Sequence, residues 1–243
     1  MLVSRLAGAV GAWVSGAPVV ALIVLLVLLL PAASLNEGGM HFKDVTIEAR
    51  IPDDKGWTTG VSVADVNADG LLDIYVCRAG NYEVMHSKNQ LLICTSIDKN
   101  GIPEYKDEAR QYGLEFSGFS TQAAFFDYDL DGDLDMFLLN HSVNGFTSLL
   151  PRYEYLKINS SLAGARLFTN EGNHFSDATK ETGINNSIIG YGLGITIADI
   201  NMDGYPDVYV GNDFYENDYL YINQKNGTFT EEGENQLMHT SHY

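Results

Sequence analysis

Three nine-residue stretches of this chain place oxygen-bearing side chains in one register. Asp65-Val66-Asn67-Ala68-Asp69-Gly70-Leu71-Leu72-Asp73 carries them at positions 1, 3, 5 and 9, with glycine at 6. Asp127-Tyr128-Asp129-Leu130-Asp131-Gly132-Asp133-Leu134-Asp135 and Asp199-Ile200-Asn201-Met202-Asp203-Gly204-Tyr205-Pro206-Asp207 follow the same pattern. The chemistry open to such a set is coordination of a hard cation. Calcium takes six to eight oxygens at about 2.3–2.6 Å, and the odd-numbered side chains of a curled loop can converge on one point. Glycine at position 6 permits the sharp bend that brings them together. The backbone carbonyl of position 7 (Leu71, Asp133 or Tyr205) is the natural further ligand. Three calcium ions are therefore expected, one per loop.

Asp-Gly pairs also mark ordinary hairpin turns, where acids are common. Turn chemistry needs one or two such residues, not four oxygens in fixed register, each time followed by an apolar run. An EF-hand is excluded, because it requires a bidentate glutamate at position 12 and a helix on either side. Position 12 is Val76, Leu138 and Val210. Around them, Ile74-Tyr75-Val76, Met136-Phe137-Leu138 and Val208-Tyr209-Val210 are apolar and rich in β-branched and aromatic types, and read as strands.

The elements that must hold these loops recur with them. Upstream stand Gly60–Ala64, Ala123–Phe126 and Gly194–Ala198, with strand-like alternation. Downstream come a third strand (Gln90–Ile93, Arg166–Thr169, Tyr219–Ile222) and a turn at Asn100-Gly101, Glu171-Gly172 and Asn226-Gly227. A fourth strand opens on an aromatic: Tyr105, Phe175 or Phe229. Phe42–Thr46 resembles a stray copy of that fourth strand. Four antiparallel strands per unit describe a blade of a β-propeller, which must stack on neighbours to bury its core. The units span about 58–108, 120–179 and 192–231, with the start of a further one at 236–243. Three units do not close a propeller, so the expected fold is all-β and incomplete, a fragment of a longer protein or a truncated product. Gly192-Leu193-Gly194 is no dinucleotide fingerprint, because Ile197 stands where its third glycine belongs.

Over roughly residues 40–231 the units resemble the FG-GAP/VCBS repeats of exported bacterial proteins and, more distantly, the calcium-bearing blades of the integrin α-chain propeller. The resemblance implies calcium held by Asp65, Asn67, Asp69 and Asp73; by Asp127, Asp129, Asp131 and Asp135; and by Asp199, Asn201, Asp203 and Asp207. The name-giving pairs are not literal. The Phe-Gly slot reads Thr59-Gly60, Thr121-Gln122 and Leu193-Gly194. That departure touches integrin-like ligand recognition rather than the metal loops.

Residues 6–35 carry no charge and follow Arg5. A basic start, an apolar run and the small residues Ala32-Ala33-Ser34 describe a secretory signal peptide, cleaved after Ser34. The run is also long enough for an uncleaved helical membrane anchor. Either way residues 36–243 are expected to be exported, to a periplasm, cell surface or medium. The chain has 32 acidic residues against 14 basic, a net charge of −18. That excludes nucleic acid as a partner, since its binding needs clustered Lys and Arg. Eleven of the acids lie in the three loops. Cys77 and Cys94 fall at opposite ends of adjacent strands, too far apart for a disulfide, and are expected as buried free thiols.

Catalytic signatures are lacking. The six histidines show no metal-ligand spacing, no serine sits in a Gly-x-Ser-x-Gly elbow, and no cysteine pairs with a histidine in a recognisable context. Carboxylates that ligate calcium stay ionised and make poor general acids. The connection between the second and third strands varies most (78–89, 141–164, 212–217), and such loops on a rigid scaffold are where recognition resides. The expected function is a non-catalytic calcium-binding module for adhesion or for a protein or carbohydrate ligand. The alternative is an accessory or scaffold domain of a larger polysaccharide-acting enzyme. Any membrane contact would run through an uncleaved N-terminal segment.

Overall fold

A computed structural model of the chain describes residues 22–27, 30–52, 56–80, 84–143, 150–172, 174–213 and 216–237. The architecture is all-β, with four antiparallel sheets. Strands β1 (Leu22–Val27), β2 (Leu30–Gly38) and β3 (His41–Asp44) form an N-terminal sheet. Sheet one follows with β4 (Trp57–Ala64), β5 (Asp73–Ala79), β6 (Gln90–Ile97) and β7 (Pro103–Asp107). Sheet two holds β8 (Ser120–Phe126), β9 (Asp135–Asn140), β10 (Arg166–Asn170) and β11 (Phe175–Asp177). Sheet three holds β12 (Gly192–Ala198), β13 (Asp207–Asn212), β14 (Tyr219–Asn223) and β15 (Phe229–Glu231). The helices among the described residues are single turns, α1 (Arg152–Tyr155) and α2 (Gly233–Gln236).

The apolar N-terminal run departs from the expected helix. Where it is described it forms a hairpin, Leu22 opposite Leu35 and Val27 opposite Leu30. An apolar run without periodicity suits strand and helix alike, the β-branched content of Leu22–Val27 favours the strand, and Pro31 cannot donate in a helix interior. Residues 1–21 lie outside the described residues, as do 238–243 of the further unit expected at 236–243. Among the described residues no helix is long and apolar enough to cross a membrane. The stray fourth strand expected at Phe42–Thr46 is β3, and it pairs with β2 rather than with a four-stranded sheet.

Alternation along the second strand of each sheet builds two cores in series. Met136 and Leu138 of β9 turn towards Tyr75, Cys77, Leu91 and Ile93 of sheet one. Phe137 and Leu139, one residue out of phase, meet Val208, Val210, Tyr219 and Tyr221 of sheet three. Sheet two is thus buried on both faces. The outer face of sheet one (Ile74, Val76, Leu92, Cys94) is covered by Ala33, Val45, Ala49 and Ile51. Cys77 and Cys94 are free and buried.

The first strands of the three sheets stand side by side, joined by side chains. Each carries a bulge, at Thr59, Thr121 and Leu193. The Thr59 hydroxyl donates to the Ser120 carbonyl, and that of Thr121 to the Gly192 carbonyl at 2.8 Å. Gly60 makes the close approach possible, because a Cβ there would lie 2.2 Å from the Thr121 carbonyl oxygen.

Candidate metal centre

Each loop joins the first strand of its sheet to the second and closes on backbone amides. The position 1 carboxylate accepts two of them. Asp65 takes the amides of Asp69 (3.0 Å) and Gly70 (2.8 Å). Asp127 takes those of Asp131 and Gly132, both at 3.1 Å, and Asp199 those of Asp203 and Gly204, both at 2.9 Å. The position 3 oxygen accepts the position 5 amide, at 3.1, 3.3 and 3.0 Å. The position 5 carboxylate accepts the position 7 amide, at 2.8, 3.1 and 3.0 Å. The side chains of positions 1, 3 and 5 therefore fold back onto the loop backbone in all three loops.

Two left-handed residues make the curl. Gly70, Gly132 and Gly204 have φ of 85, 102 and 93°, a region open to glycine at little cost. Position 4 is also left-handed, with φ of 57° at Ala68, 63° at Leu130 and 60° at Met202. None of these is glycine, so the backbone there carries about 1–2 kcal/mol of steric cost that the surrounding loop must hold.

Position 9 opens the second strand and is the buried anchor. Asp73, Asp135 and Asp207 are 0–2% exposed. One oxygen of each accepts the position 2 amide: Val66 at 3.0 Å, Tyr128 at 3.2 Å and Ile200 at 2.8 Å. The other accepts an amide of the third strand: Cys94 at 2.8 Å, Asn170 at 2.9 Å and Asn223 at 2.8 Å. Burial drives the Asp73 carboxyl up to about 6 and Asp135 to about 7, against the pull of these hydrogen bonds. Asp129 and Asp133 are also raised, first by burial and then by the Asp131 charge.

The residues present fit a hard cation. In the second loop Asp127, Asp129 and Asp135 each bring a carboxylate oxygen within 4.8 Å of the other two. Asp131 and Asp133 stand outside that group of three, and Asp133 Oδ1 is buried with no hydrogen-bond partner among the described residues. The first and third loops have asparagine at position 3, and Asn67 and Asn201 each donate an amide hydrogen to the position 5 carboxylate (3.1 and 2.9 Å). Their side-chain donors are still all oxygen. Leu71 and Tyr205, expected as carbonyl ligands, occupy position 7 with amides turned to Asp69 and Asp203.

Residues outside the pattern also hold the loops: the Tyr105 hydroxyl donates to the Leu72 carbonyl at 3.3 Å and Asn170 Nδ2 to the Leu134 carbonyl at 3.2 Å, and Asn223 and Lys225 act on the second and third loops. Asn223, at the end of β14, donates from Nδ2 to the Tyr128 carbonyl of the second loop at 2.7 Å, while its amide holds Asp207 of the third. Lys225 brings Nζ to 3.4 Å from Asp203 Oδ2 and 3.1 Å from the Asp203 carbonyl oxygen. Slight burial opposes the shift, but the Tyr205 amide, Asn201 and Lys225 together hold Asp203 below the usual carboxylate range. No local signal marked either residue, since both act across large sequence separations.

Residues 199–242, which hold the third loop and β13 to β15, match the model of the FG-GAP-like repeat. This part of the chain is an FG-GAP-like repeat. The loops of sheets one and two repeat its backbone-amide hydrogen bonds to the side chains of positions 1, 3, 5 and 9. No curated protein matches the chain. A matching solved structure is a lectin of Agrocybe aegerita, described as recognising non-reducing terminal N-acetylglucosamine. The two are 16% identical over 83% of this chain, with a TM-score of 0.31. This chain spans 60% of the lectin's length. At that depth of likeness no ligand carries across.

Proposed function

We propose that the three loops each bind calcium and that sheets one to three are blades of an incomplete β-propeller serving as an extracytoplasmic, non-catalytic binding module. The observation carrying this is the threefold recurrence of one oxygen loop folded back onto its own backbone, with the second drawing three carboxylates together. The FG-GAP-like match over the third loop supports it. So does the row of first strands, which is how blades meet at a propeller's axis. Asp65, Asn67, Asp69 and Asp73; Asp127, Asp129, Asp131 and Asp135; and Asp199, Asn201, Asp203 and Asp207 would hold the ions. The carbonyls of Leu71, Asp133 and Tyr205 would add a ligand each. Bound calcium would neutralise the clustered carboxylates and lock the bends between first and second strands. In this proposal the apolar N-terminal run serves export, and to act as a leader or anchor it would have to give up the place of β2, whose Ala33 packs on sheet one.

A protein or carbohydrate partner would meet the opposite end of the sheets, where second and third strands connect. There a polar hollow of about 470 Å³ is lined by His86, Lys88, Gln90, Asp107, Arg110 and Glu115. The long connection of sheet two is less available. Arg152 is tied to the buried Glu216 (2.6 Å) and to Glu234 (2.6 Å) of the third unit, and Ile158 accepts the Ile188 amide at 2.9 Å. That connection packs over its neighbour. A role as accessory domain of a polysaccharide-acting enzyme is the second reading, favoured by the same hollow.

Calcium at 100 times its dissociation constant would add about 2.7 kcal/mol per site. Thermal melts with calcium and with chelator test the proposal, together with a native-mass count of three bound ions. Coincident melts and no bound ion would refute it.

A further inference from the structure

Loops one and three offer the same ligands. Both read Asp-x-Asn-x-Asp-Gly-x-x-Asp, and both close on the same amides at nearly the same lengths. They differ in what faces them from the turn between third and fourth strands. In sheet three that turn presents Lys225, whose ammonium sits 3.4 Å from Asp203 Oδ2, 3.1 Å from the Asp203 carbonyl and 5.6 Å from the Tyr205 ring centre. Among the described residues, no salt bridge reaches an acid of loop one or loop two.

The placement of Lys225 is held locally. It has φ of +61°, a conformation lysine disfavours, and its amide donates to Asn223 Oδ1 at 2.9 Å. The turn thus aims the side chain at the loop through Asn223, the residue whose own amide anchors Asp207.

We infer that Lys225 is a tethered cation of the third loop: its ammonium neutralises Asp203 and lowers that loop's affinity for calcium relative to loop one. The inference rests on the calcium reading above and adds a gradation to it. A unit positive charge a few ångströms from a divalent ion in water-like surroundings costs about tenfold in affinity, and salt screens it. The third loop keeps part of its order without metal, because the lysine offsets the repulsion among its carboxylates. It fills last as calcium rises.

The amides of Gly70, Gly132 and Gly204 lie one in each loop and report each site separately. Calcium is titrated into the ¹⁵N-labelled chain and its K225Q and K225R variants, with these three amides followed by NMR. In the natural chain the Gly204 midpoint is expected about tenfold above that of Gly70. K225Q brings it down to match Gly70 and leaves Gly70 and Gly132 unmoved, whereas K225R keeps it high. A Gly204 midpoint unchanged in K225Q, or lowered equally in K225R, overturns the role of the charge. No response to calcium at any of the three amides would instead overturn the metal reading itself. The unshifted remainder of each spectrum shows that the variants fold.

Discussion

At the scale of single residues, position 4 and position 6 of each loop are both left-handed yet chemically different. Met202 is 90% exposed with φ of 60°, so replacing it by glycine removes backbone cost and little packing. Met202→Gly is expected to stabilise by up to about 1 kcal/mol, after the extra entropy of the unfolded glycine. Gly204→Ala should destabilise by about 1–2 kcal/mol although open space surrounds a Cβ there, because the penalty is conformational. Urea denaturation separates the two; equal signs would mean that the loop is not held as described. The buried anchors make a further prediction for metal-stripped protein. Asp73 and Asp135 bind protons more tightly folded (about 6 and 7) than unfolded, where aspartate titrates near about 3.9. The native state then holds more protons between about pH 4 and 7, so stability falls as pH rises through that window. Repulsion among the −18 net charges acts in the same direction. Asp135→Asn distinguishes the causes, since it should flatten the pH dependence of the urea midpoint. An unaltered slope would assign the effect to repulsion alone.

At the scale of elements, the alternation of β9 decides how the sheets join. Phe137 is buried against sheet three, its ring 6.1 Å from that of Tyr221, and Met136 is buried against sheet one. Phe137→Ala should cost about 3–5 kcal/mol and Met136→Ala about 2–5 kcal/mol, although the two are chain neighbours. A loss under about 1 kcal/mol for either, read by urea denaturation, would show that face to be unpacked. In the apolar run Met136–Leu139 no alternation shows, but the loops were legible in the sequence, because nine contiguous residues hold most of the chemistry and both neighbouring strands announce themselves. The bulges were not. They fall at Thr59, Thr121 and Leu193, in the slot where the resemblance places Phe-Gly, and at Thr59 and Thr121 the bulge serves a bond to the adjacent sheet. The hairpin at Leu22–Gly38 was misread because its apolar run has no period. Asn223 and Lys225 escaped because Tyr128 and Asp203 lie 95 and 22 residues away.

At the scale of the whole molecule, the loops are equivalent in chemistry but not in position. Position 2 shows this. Val66 is 3% exposed and Tyr128 6%, each covered by the following unit, whereas Ile200 is 43% exposed. Tyr128 stacks on Phe229 at 6.0 Å, and its carbonyl accepts from Asn223, which also anchors Asp207. The second loop therefore props the interface between sheets two and three, while sheet two itself is packed on both faces. Loosening it disturbs two cores; loosening the third loop disturbs one. Asp127→Asn and Asp199→Asn remove the same position 1 charge and preserve shape. Loss of one filled site costs about 2.7 kcal/mol at 100 times the dissociation constant, or roughly 5–10 °C in a chain of this length. In saturating calcium Asp127→Asn is expected to lower the melting temperature by more than that, and by more than Asp199→Asn. On the proposal made for Lys225 the gap widens, since the third site would have less calcium energy to lose. Equal shifts would mean that the loops stabilise their own hairpins only, and that neither the Tyr128 stack nor the Asn223 bond carries strain between sheets. A larger shift for Asp199→Asn would reverse the order, and would place the weight of the assembly on the flank where Ile200 lies open.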